Sequence, residues 1–383
     1  MTENFDTLVN RRSSDSIKWN RYPADVLPLW VADMDFLSPQ LIQDALLDRI
    51  NHNIFGYSKS QESTKLTICA WLKRRHNWSV SPEEILLFPG VVPAFNFVTL
   101  AFTKPGDSVL LQTPAYHPFF DLAAHAKVSL RFTPLCAARE GNYTINLDEF
   151  KRQIHPNTRL FMLCNPHNPT GRVFSKSELI SLAELCLDRH VIICSDEIHS
   201  DLVFSPHQHV PIASISEEIA HATITLISPS KTFNLAGLKS SAVIIKDSLL
   251  RETFLQQVSG YANAVNILGE AALNAAYSSC DDWLESLLGY LDKNRNLLYE
   301  FVNHELPGVS MNKPEGTYLG WLDFSNTNLD SPSSYLLENA RVALNAGDWF
   351  GENYQQFARI NFACPSTTLV TALERIKSSL IST

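Results

Sequence analysis

Residues 228–238 read Ser-Pro-Ser-Lys-Thr-Phe-Asn-Leu-Ala-Gly-Leu, a stretch that places one lysine, Lys231, directly behind a predicted strand. The apolar run Ile224–Ser228 predicts that strand. A lysine at the carboxyl end of a parallel strand lies in a crevice, where loss of solvation lowers its pKa and makes the amine a nucleophile for an aldehyde. The spacing alone is equally consistent with a surface lysine in a loop.

Six further strand candidates accompany this one and together predict the fold. They alternate with amphipathic helical patterns such as Lys176–Arg189, which has one apolar side. Alternating strands and helices predict an α/β fold with a mostly parallel seven-stranded sheet that is covered on both faces. The seven candidates are Ile85–Phe88, Ser108–Gln112, Val128–Phe132, Arg159–Cys164, Val191–Ser195, Ile224–Ser228 and Ser241–Lys246.

The two ends of the chain follow a different pattern. Residues 39–52 and 62–76 predict helices before the sheet, and residues 248–304 are largely helical. The last part mixes strands (Thr317–Leu322, Phe357–Phe362) with helices (Ser333–Leu344, Ser366–Leu380). We therefore predict three parts: an N-terminal segment 1–50 packing with the small domain, a large domain 51–285, and a smaller α+β domain 286–383. A cleft between two domains is a frequent place for a ligand.

The composition limits the classes of function. The 383 residues are 45% hydrophobic, which suits a two-domain core, and the formal net charge of −9 gives no basic face for nucleic acid. No apolar run approaches the roughly 18 residues needed to cross a bilayer, and the polar start of the chain lacks a signal-peptide pattern. We expect a cytoplasmic protein with neither a membrane nor a nucleic acid as partner.

The cysteines and histidines give no sign of a metal site. The seven cysteines are scattered without a CxxC pair, and Cys164 and Cys194 lie in apolar runs that suit buried, reduced thiols. His207 and His209 lie in a polar loop next to a proline, with no acidic or cysteine partner close in sequence. We expect a solvated loop there and no metal.

Two polar motifs follow two other predicted strands. SDEIH at 195–199 supplies Asp196, which can pair with a protonated ring nitrogen, although a helix N-cap or a solvated acidic turn explains the motif by itself. NPHNPTG at 165–171 fixes a loop and leaves two Asn amides to contact a ligand, although a rigid turn capped by its own Asn residues fits as well.

A fourth motif, PGVVPA at 89–94, joins a strand to an apolar helix through a glycine turn. Free N–H groups at such a helix start can bind an anion, although many turns share this pattern. All four motifs lie where a strand meets a loop, so the sequence predicts that they converge on one edge of the sheet.

In this order, NPHNPTG, SDEIH and SPSK resemble the motifs of the fold-type I pyridoxal-phosphate (PLP) enzymes, the aspartate-aminotransferase-like superfamily, over nearly the whole chain. Finer motifs resemble the MalY/PatB group of cystathionine β-lyases, also called C–S β-lyases. These are PLWVADMDF at 28–36, FGY at 55–57, PGVVP at 89–93 and SDEIH itself. The resemblance implies the aspartate-aminotransferase-like fold, pyridoxal 5'-phosphate as cofactor, and a homodimer with shared active sites.

The resemblance also implies roles around the cofactor ring. Lys231 would form a Schiff base with the cofactor, and Asp196 would pair with the pyridinium nitrogen. Asn168 would donate a hydrogen bond to the ring O3′ and lie beside the substrate, and His199 is a second candidate for the O3′ contact. Tyr116 would stack on the ring and join Lys231 as a catalytic residue, unless it is a core or interface aromatic.

The phosphate contacts implied by the resemblance lie in three places. The N–H groups of Val91 and Val92 and the hydroxyl of Ser228 would hold it, with Ser230 as a secondary candidate. Lys239 stands where many relatives have an arginine, and a lysine lacks the bidentate fork of that residue.

The remaining implied contacts involve the substrate and the partner subunit. Arg359 would bind the substrate α-carboxylate through its guanidinium fork, assisted by the N–H of Ala32. Tyr57 would reach the phosphate of the neighbouring subunit. Trp30 and Asp33 either line the entrance or pack against neighbours.

The activity implied by the resemblance is β-elimination from L-cystathionine or a related cysteine S-conjugate, giving pyruvate, ammonia and a thiol such as homocysteine. An aminotransferase would use the same residues, so that alternative stays open. A PLP-fold sensor module of a transcription regulator is disfavoured because the enzyme-like segment begins within the first few residues.

Overall fold

The computed structural model of the protein describes residues 3–59, 61–137, 142–261 and 265–381. Its strands are β1 (Leu27–Pro28), β2 (Ile85–Phe88), β3 (Ser108–Thr113), β4 (Ser129–Pro134), β5 (Thr158–Cys164), β6 (Ile192–Asp196), β7 (Thr223–Ile227), β8 (Ser241–Ile245), β9 (Ser310–Met311), β10 (Leu319–Asp323), β11 (Val342–Ala343), β12 (Asn345–Ala346) and β13 (Phe357–Asn361). Its helices are α1 (Ile17–Asn20), α2 (Gln40–Asn51), α3 (Glu62–His76), α4 (Val91–Phe102), α5 (Leu122–Ala126), α6 (Leu147–Gln153), α7 (Lys176–Leu187), α8 (Glu217–His221), α9 (Pro229–Thr232), α10 (Ser248–Val258), α11 (Ile267–Ser279), α12 (Asp281–Glu305), α13 (Pro332–Tyr335) and α14 (Ser366–Ile381).

The central sheet contains the seven predicted strands in the order β2-β8-β7-β6-β5-β3-β4. Strand β8 runs antiparallel to both neighbours, and the other pairs are parallel. This confirms the predicted α/β class and the mostly parallel seven-stranded sheet. The prediction succeeded because strands buried on both faces appear in sequence as nearly continuous apolar runs.

Helices cover both faces of this sheet. Along β3, Val109 and Leu111 join an apolar cluster with Phe254 of α10, whereas Leu110 between them joins a second cluster with Leu179 of α7. This alternation follows from the two-residue period of a strand. The carboxyl ends of β5, β6 and β7 therefore emerge side by side between two helical layers, and the loops that follow them share one edge of the sheet.

A smaller antiparallel sheet, in the order β12-β13-β10-β9, lies with α12 and α14 in the last part of the chain. Arg359 is on β13, the strand paired with both β10 and β12. The apolar core of this part is continuous with residues of the N-terminal segment, such as Leu29 and Phe36. The limits 1–50, 51–285 and 286–383 stay a prediction.

The predicted helix Ser333–Leu344 is wrong in its second half. Helical structure ends at Ala340, Arg341 takes a left-handed conformation (φ 55°), and Val342–Ala343 forms β11. Strand β11 pairs in parallel with Leu27–Pro28 of β1. The backbone pairing with a distant segment overrides the local helical pattern.

The expectations for two cysteines and for four helices hold in this structure. Cys164 and Cys194 are buried and carry free thiols. Helices α2, α3, α7 and α14 occupy the predicted positions. Within the part of the chain that is described, no helix is both long and apolar enough to cross a membrane.

Candidate active site

The four sequence motifs converge on one cavity of about 510 Å³ between the edge of the central sheet and strand β13. Loops from the N-terminal segment complete its wall. Of the residues predicted from the sequence, those lining the cavity are Ala32, Val91, Val92, Tyr116, Asn168, Asp196, His199, Ser230, Lys231, Lys239 and Arg359, together with Trp30.

Lys231 lies on the short helix α9, whose N-cap is Ser228. Its Nζ donates a hydrogen bond to the carbonyl oxygen of Ala32 at 2.7 Å. Burial, and next the positive charge of Arg359, lower the pKa of Lys231 from 10.5 to about 8. The interpretation as a surface lysine in a loop is therefore wrong, and a substantial share of the amine is neutral near physiological pH.

Asp196 ends strand β6 and is 4% exposed. Its Oδ1 accepts a hydrogen bond from the N–H of Ile198 at 3.1 Å. Burial raises the pKa of Asp196 from 3.8 to about 7, because the Ile198 hydrogen bond and the charge of Lys231 offset only part of the lost solvation. A solvated acidic turn is therefore excluded, and the carboxylate is placed to receive a cationic hydrogen-bond donor.

The neighbouring Glu197 corrects another expectation. Its Oε2 lies 2.8 Å from Nε2 of His209, and both side chains are buried. His209 is thus part of a buried pair rather than of a solvated loop, whereas His207 is exposed as predicted. The described residues contain no group of three or more His, Cys, Asp or Glu side chains arranged to hold a metal ion.

Arg359 is 5% exposed, and its partners among the described residues are neutral oxygens rather than carboxylates. Its guanidinium donates to Oδ1 of Asn168 (2.9 Å), the carbonyl of Trp30 (2.9 Å) and Oδ1 of Asn345 (2.6 Å), and lies 5.0 Å from the ring centre of Phe350. Burial lowers the pKa of Arg359 to about 10. The fixed guanidinium still has an unpartnered buried Nε and suits a carboxylate ligand.

His199 and Tyr116 add two uncharged groups to the cavity wall. Burial, and next the charge of Lys231, hold the pKa of His199 well below its usual value, so the imidazole is neutral. The buried Nδ1 of His199 has no hydrogen-bond partner among the described residues. Burial raises the pKa of Tyr116, which keeps its phenol protonated.

An anion cradle begins at Gly90. Its φ of +119°, a conformation that favours glycine, turns the chain into α4, so the first N–H groups of the helix, including those of Val91 and Val92, are free of intrahelical bonds. Ser230 and Lys239 line the same cavity. The hydroxyl of Ser228 instead caps α9 and bonds with the carbonyl of Ser240 at 2.6 Å, outside the cavity lining.

The structure does not bring every predicted residue into this cavity. Tyr57 is fully exposed and lies outside the lining. Asp33 forms an ion pair with Arg11 at 2.8 Å.

Sequence reasoning missed Asn345 and Tyr318, which contact Arg359 and Ala32 respectively. Both lie in short strand-like runs without a motif, so only the fold reveals them.

The cavity residues fit the cofactor that the resemblance implies. A protonated ring nitrogen would pair with the buried Asp196, and a phosphate would meet the N-terminus of α4 and the cation of Lys239. The orphaned Nδ1 of His199 offers a polar contact that no described protein group uses. The buried Arg359 remains free to bind the carboxylate of an amino acid.

Comparison with known proteins gives consistent results. Residues 24–376 match the family model for aminotransferase class I and II. The chain is 41% identical to cystathionine beta-lyase PatB of Bacillus subtilis, over 98% of this chain and 100% of that one. Among solved structures it is similar to cystalysin from Treponema denticola, which contains a pyridoxal 5'-phosphate cofactor (33% identity, TM-score 0.96, all of both chains). It is also similar to a PLP-bound C–S lyase from Staphylococcus hominis (32% identity, TM-score 0.94, 100% of this chain and 99% of that one).

Proposed function

The chain belongs to the class I and II aminotransferase family, and on that premise we propose that it is a PLP-dependent carbon–sulfur β-lyase. Its substrate is L-cystathionine or a related cysteine S-conjugate, and its products are pyruvate, ammonia and a thiol such as homocysteine. The main observation in support is one cavity that combines a reactive lysine, a buried carboxylate and a buried guanidinium, neither of which has an ion-pair partner in the described part of the chain. The chain is also similar to cystathionine β-lyases.

When bound, PLP supplies an aldehyde for covalent attachment and a ring that withdraws electrons from the Cα of an amino acid. Lys231 would hold the aldehyde carbon, and Asp196 would keep a proton on the ring nitrogen. The N–H groups of Val91 and Val92 would bind the phosphate together with Ser230, and Lys239 would add a point charge there. Ser228 supports this cradle by fixing the start of α9.

Three further side chains surround the ring position. Tyr116 would cover one face of the ring, and its protonated phenol avoids placing another negative charge beside Asp196. Asn168 and the neutral His199 would contact the ring hydroxyl. Asn168 also accepts a hydrogen bond from Arg359, so it couples the cofactor position to the substrate carboxylate.

The substrate contacts follow from the two buried basic groups. Arg359 would bind the α-carboxylate, because Asn345 and the Trp30 carbonyl fix its guanidinium plane. The N–H of Ala32 would assist. Lys231, with its pKa lowered to about 8, can then take the proton from Cα as a general base.

A defined assay distinguishes this proposal from an aminotransferase, which uses the same residues. The purified holoenzyme is incubated with L-cystathionine and no 2-oxo acid, and pyruvate, ammonia and free thiol are measured. We expect the three products in equal amounts, and none from the Lys231→Ala variant. An aminotransferase would instead consume cystathionine only when an acceptor such as 2-oxoglutarate is added, and would release the 2-oxo acid of cystathionine with neither pyruvate nor free thiol.

The proposal includes a cytoplasmic homodimer. The fully exposed Tyr57 supports the dimer, because an aromatic residue at full exposure beside an exposed Phe55 and Ile54 suits an intersubunit contact. Tyr57 would then reach the cofactor phosphate of the neighbouring subunit. Sedimentation of the holoenzyme tests the dimer, and fractionation of source cells tests the location.

A further inference from the structure

The segment 30–36, whose first three residues line the cavity, has no regular secondary structure, and side chains hold it by its backbone carbonyls. The donors come from the N-terminal segment, the central sheet region and the smaller sheet. They are Arg359 to Trp30 (2.9 Å), Asn361 to Val31 and Asp33 (2.6 Å each), Lys231 and Tyr318 to Ala32 (2.7 and 2.9 Å), Lys18 to Asp33 (3.2 Å), Arg11 to Met34 (3.0 Å), and Asn234 to Met34 and Phe36 (3.0 and 3.2 Å).

The Ala32 carbonyl differs from the others because one of its two donors is the reactive lysine. A carbonyl oxygen has two lone pairs and can accept from Lys231 and Tyr318 together. When Lys231 captures an aldehyde, its nitrogen forms a C=N bond to the aldehyde carbon, and the two amine hydrogens leave with the aldehyde oxygen as water. The bond from Lys231 to Ala32 is then lost.

Tyr318 is well placed to remain as the second donor. Its side chain is 1% exposed, and its ring packs edge-on against His199 with ring centres 6.0 Å apart. Burial raises the pKa of Tyr318 well above its usual value, so the hydroxyl keeps its proton at any working pH. The phenol therefore donates to Ala32 whether or not Lys231 does.

We propose that Tyr318 is a positioning residue that keeps the Ala32 carbonyl hydrogen bonded while Lys231 leaves it to capture the cofactor aldehyde. Without the phenol, departure of the lysine leaves the Ala32 carbonyl, a partly buried acceptor, with no donor among the described residues, which disfavours the covalent step. The effect concerns attachment of the cofactor and is independent of the reaction that the loaded enzyme performs.

The test compares two cofactor forms on the ligand-free protein. Pyridoxal phosphate has the aldehyde, whereas pyridoxamine phosphate has the same ring and phosphate but cannot be captured by Lys231. The dissociation constants of both are measured by equilibrium dialysis for wild type, Tyr318→Phe, and the control Tyr354→Phe. Tyr354 is a half-buried tyrosine whose hydroxyl lies 3.4 Å from Thr113 Oγ1 and does not contact Ala32.

In Tyr318→Phe we expect the dissociation constant of pyridoxal phosphate to rise about tenfold, equivalent to about 1.4 kcal/mol, while that of pyridoxamine phosphate stays within twofold. The control Tyr354→Phe should leave both dissociation constants at their wild-type values. The phenylalanine ring retains the contact with His199, so loss of packing is not expected. An unchanged ratio of the two constants overturns the proposal, and so does an equal fall in affinity for both forms, which indicates a general packing role.

Discussion

The protein buries two groups of charged side chains that differ in whether each charge meets its opposite. In the N-terminal segment, Lys18 has no exposed surface and pairs with Asp35 at 2.8 Å, and Arg11 pairs with both Asp35 and Asp33. In the cavity, Asp196 and Arg359 are similarly buried, but their partners among the described residues are backbone and amide groups.

The difference separates a structural cluster from a binding site. An unpaired buried charge is costly, whereas a paired and hydrogen-bonded one can be tolerated. The N-terminal cluster is complete by itself and fixes the segment 30–36 through the carbonyls of Asp33 and Met34. The cavity charges are complete only when a ligand brings a cationic ring nitrogen to one and a carboxylate to the other.

The largest effect is expected when the reactive amine of Lys231, which shares the cavity with Asp196 and Arg359, is removed. We expect Lys231→Ala to lower pyruvate release from cystathionine by about a thousandfold or more, because both cofactor attachment and Cα proton removal depend on this amine. The control Lys246→Ala removes a lysine paired with Glu217 at the surface and should retain the wild-type rate. A Lys231→Ala enzyme with a tenth of the activity would falsify the assignment.

A second test removes one charged side chain of the N-terminal cluster. Lys18→Met removes one of the two cations that pair with the buried Asp35, and we expect the free energy of unfolding in urea to fall by about 3 kcal/mol, because Arg11 still pairs with this carboxylate at 2.7 Å. The control Lys377→Met breaks an exposed pair with Glu305 and should have little effect. Equal losses in the two variants would mean that the cluster is not structurally important.

A third test keeps the charge in the cavity but changes its geometry. Arg359→Lys retains a cation and loses the planar fork, so we expect kcat/KM for cystathionine to fall about a hundredfold, mostly through KM. Arg341→Lys, at an exposed pair with Asp25 in the same part of the chain, serves as the control. A KM close to that of wild type in Arg359→Lys would remove the carboxylate contact from the mechanism.

A fourth test expects a substitution of a buried charge to increase stability, whereas Lys18→Met is expected to decrease it. The pKa of Asp196 is raised from 3.8 to about 7 in the ligand-free fold, so the stability linked to its proton is present below pH 4 and is lost as pH rises through 7. The unfolding free energy of ligand-free Asp196→Asn should therefore increase relative to that of wild type as the pH rises from 4 to 8. At pH 8 the variant should be more stable by about 1–2 kcal/mol. It should also bind PLP more weakly. A pH-independent difference in unfolding free energy contradicts this.

The smallest effect concerns the influence of the Arg359 charge on the pKa of Lys231. Capture of PLP by the ligand-free protein requires neutral Lys231, so its rate should fall about tenfold per pH unit below a midpoint near 8. Arg359→Gln removes a neighbouring positive charge and should move that midpoint to higher pH. Stopped-flow absorbance measures the rate, and a flat profile from pH 5 to 9 would count against a lysine nucleophile.

The sequence predicted the central sheet well and the edges of the site less well. Strands such as Ile85–Phe88 are visible because burial on both faces requires a continuous apolar run. The convergence of Lys231 and Asp196 follows from parallel topology, since Asp196 ends β6, Lys231 follows β7, and these two parallel strands end at the same edge of the sheet.

The failures share a physical cause, because each depends on a partner distant in sequence. His209 is buried because its Nε2 forms a hydrogen bond with the buried carboxylate of Glu197. Val342 is a strand residue because Leu27 pairs with it. Tyr318 gained a role only through its contact with Ala32, 286 residues away. Local patterns contain no information about such partners.

The parallel pairing of β1 with β11 has a consequence for biosynthesis. Leu27 leaves the ribosome hundreds of residues before Val342, so the first strand made must wait for nearly the last one. Until then strand β1, which leads directly into the segment 30–36, has no strand partner, and Arg359, which holds the Trp30 carbonyl, has not yet emerged. We expect nascent chains stalled before residue 342 to be unable to retain the cofactor, so the newly made protein acquires it only around release from the ribosome.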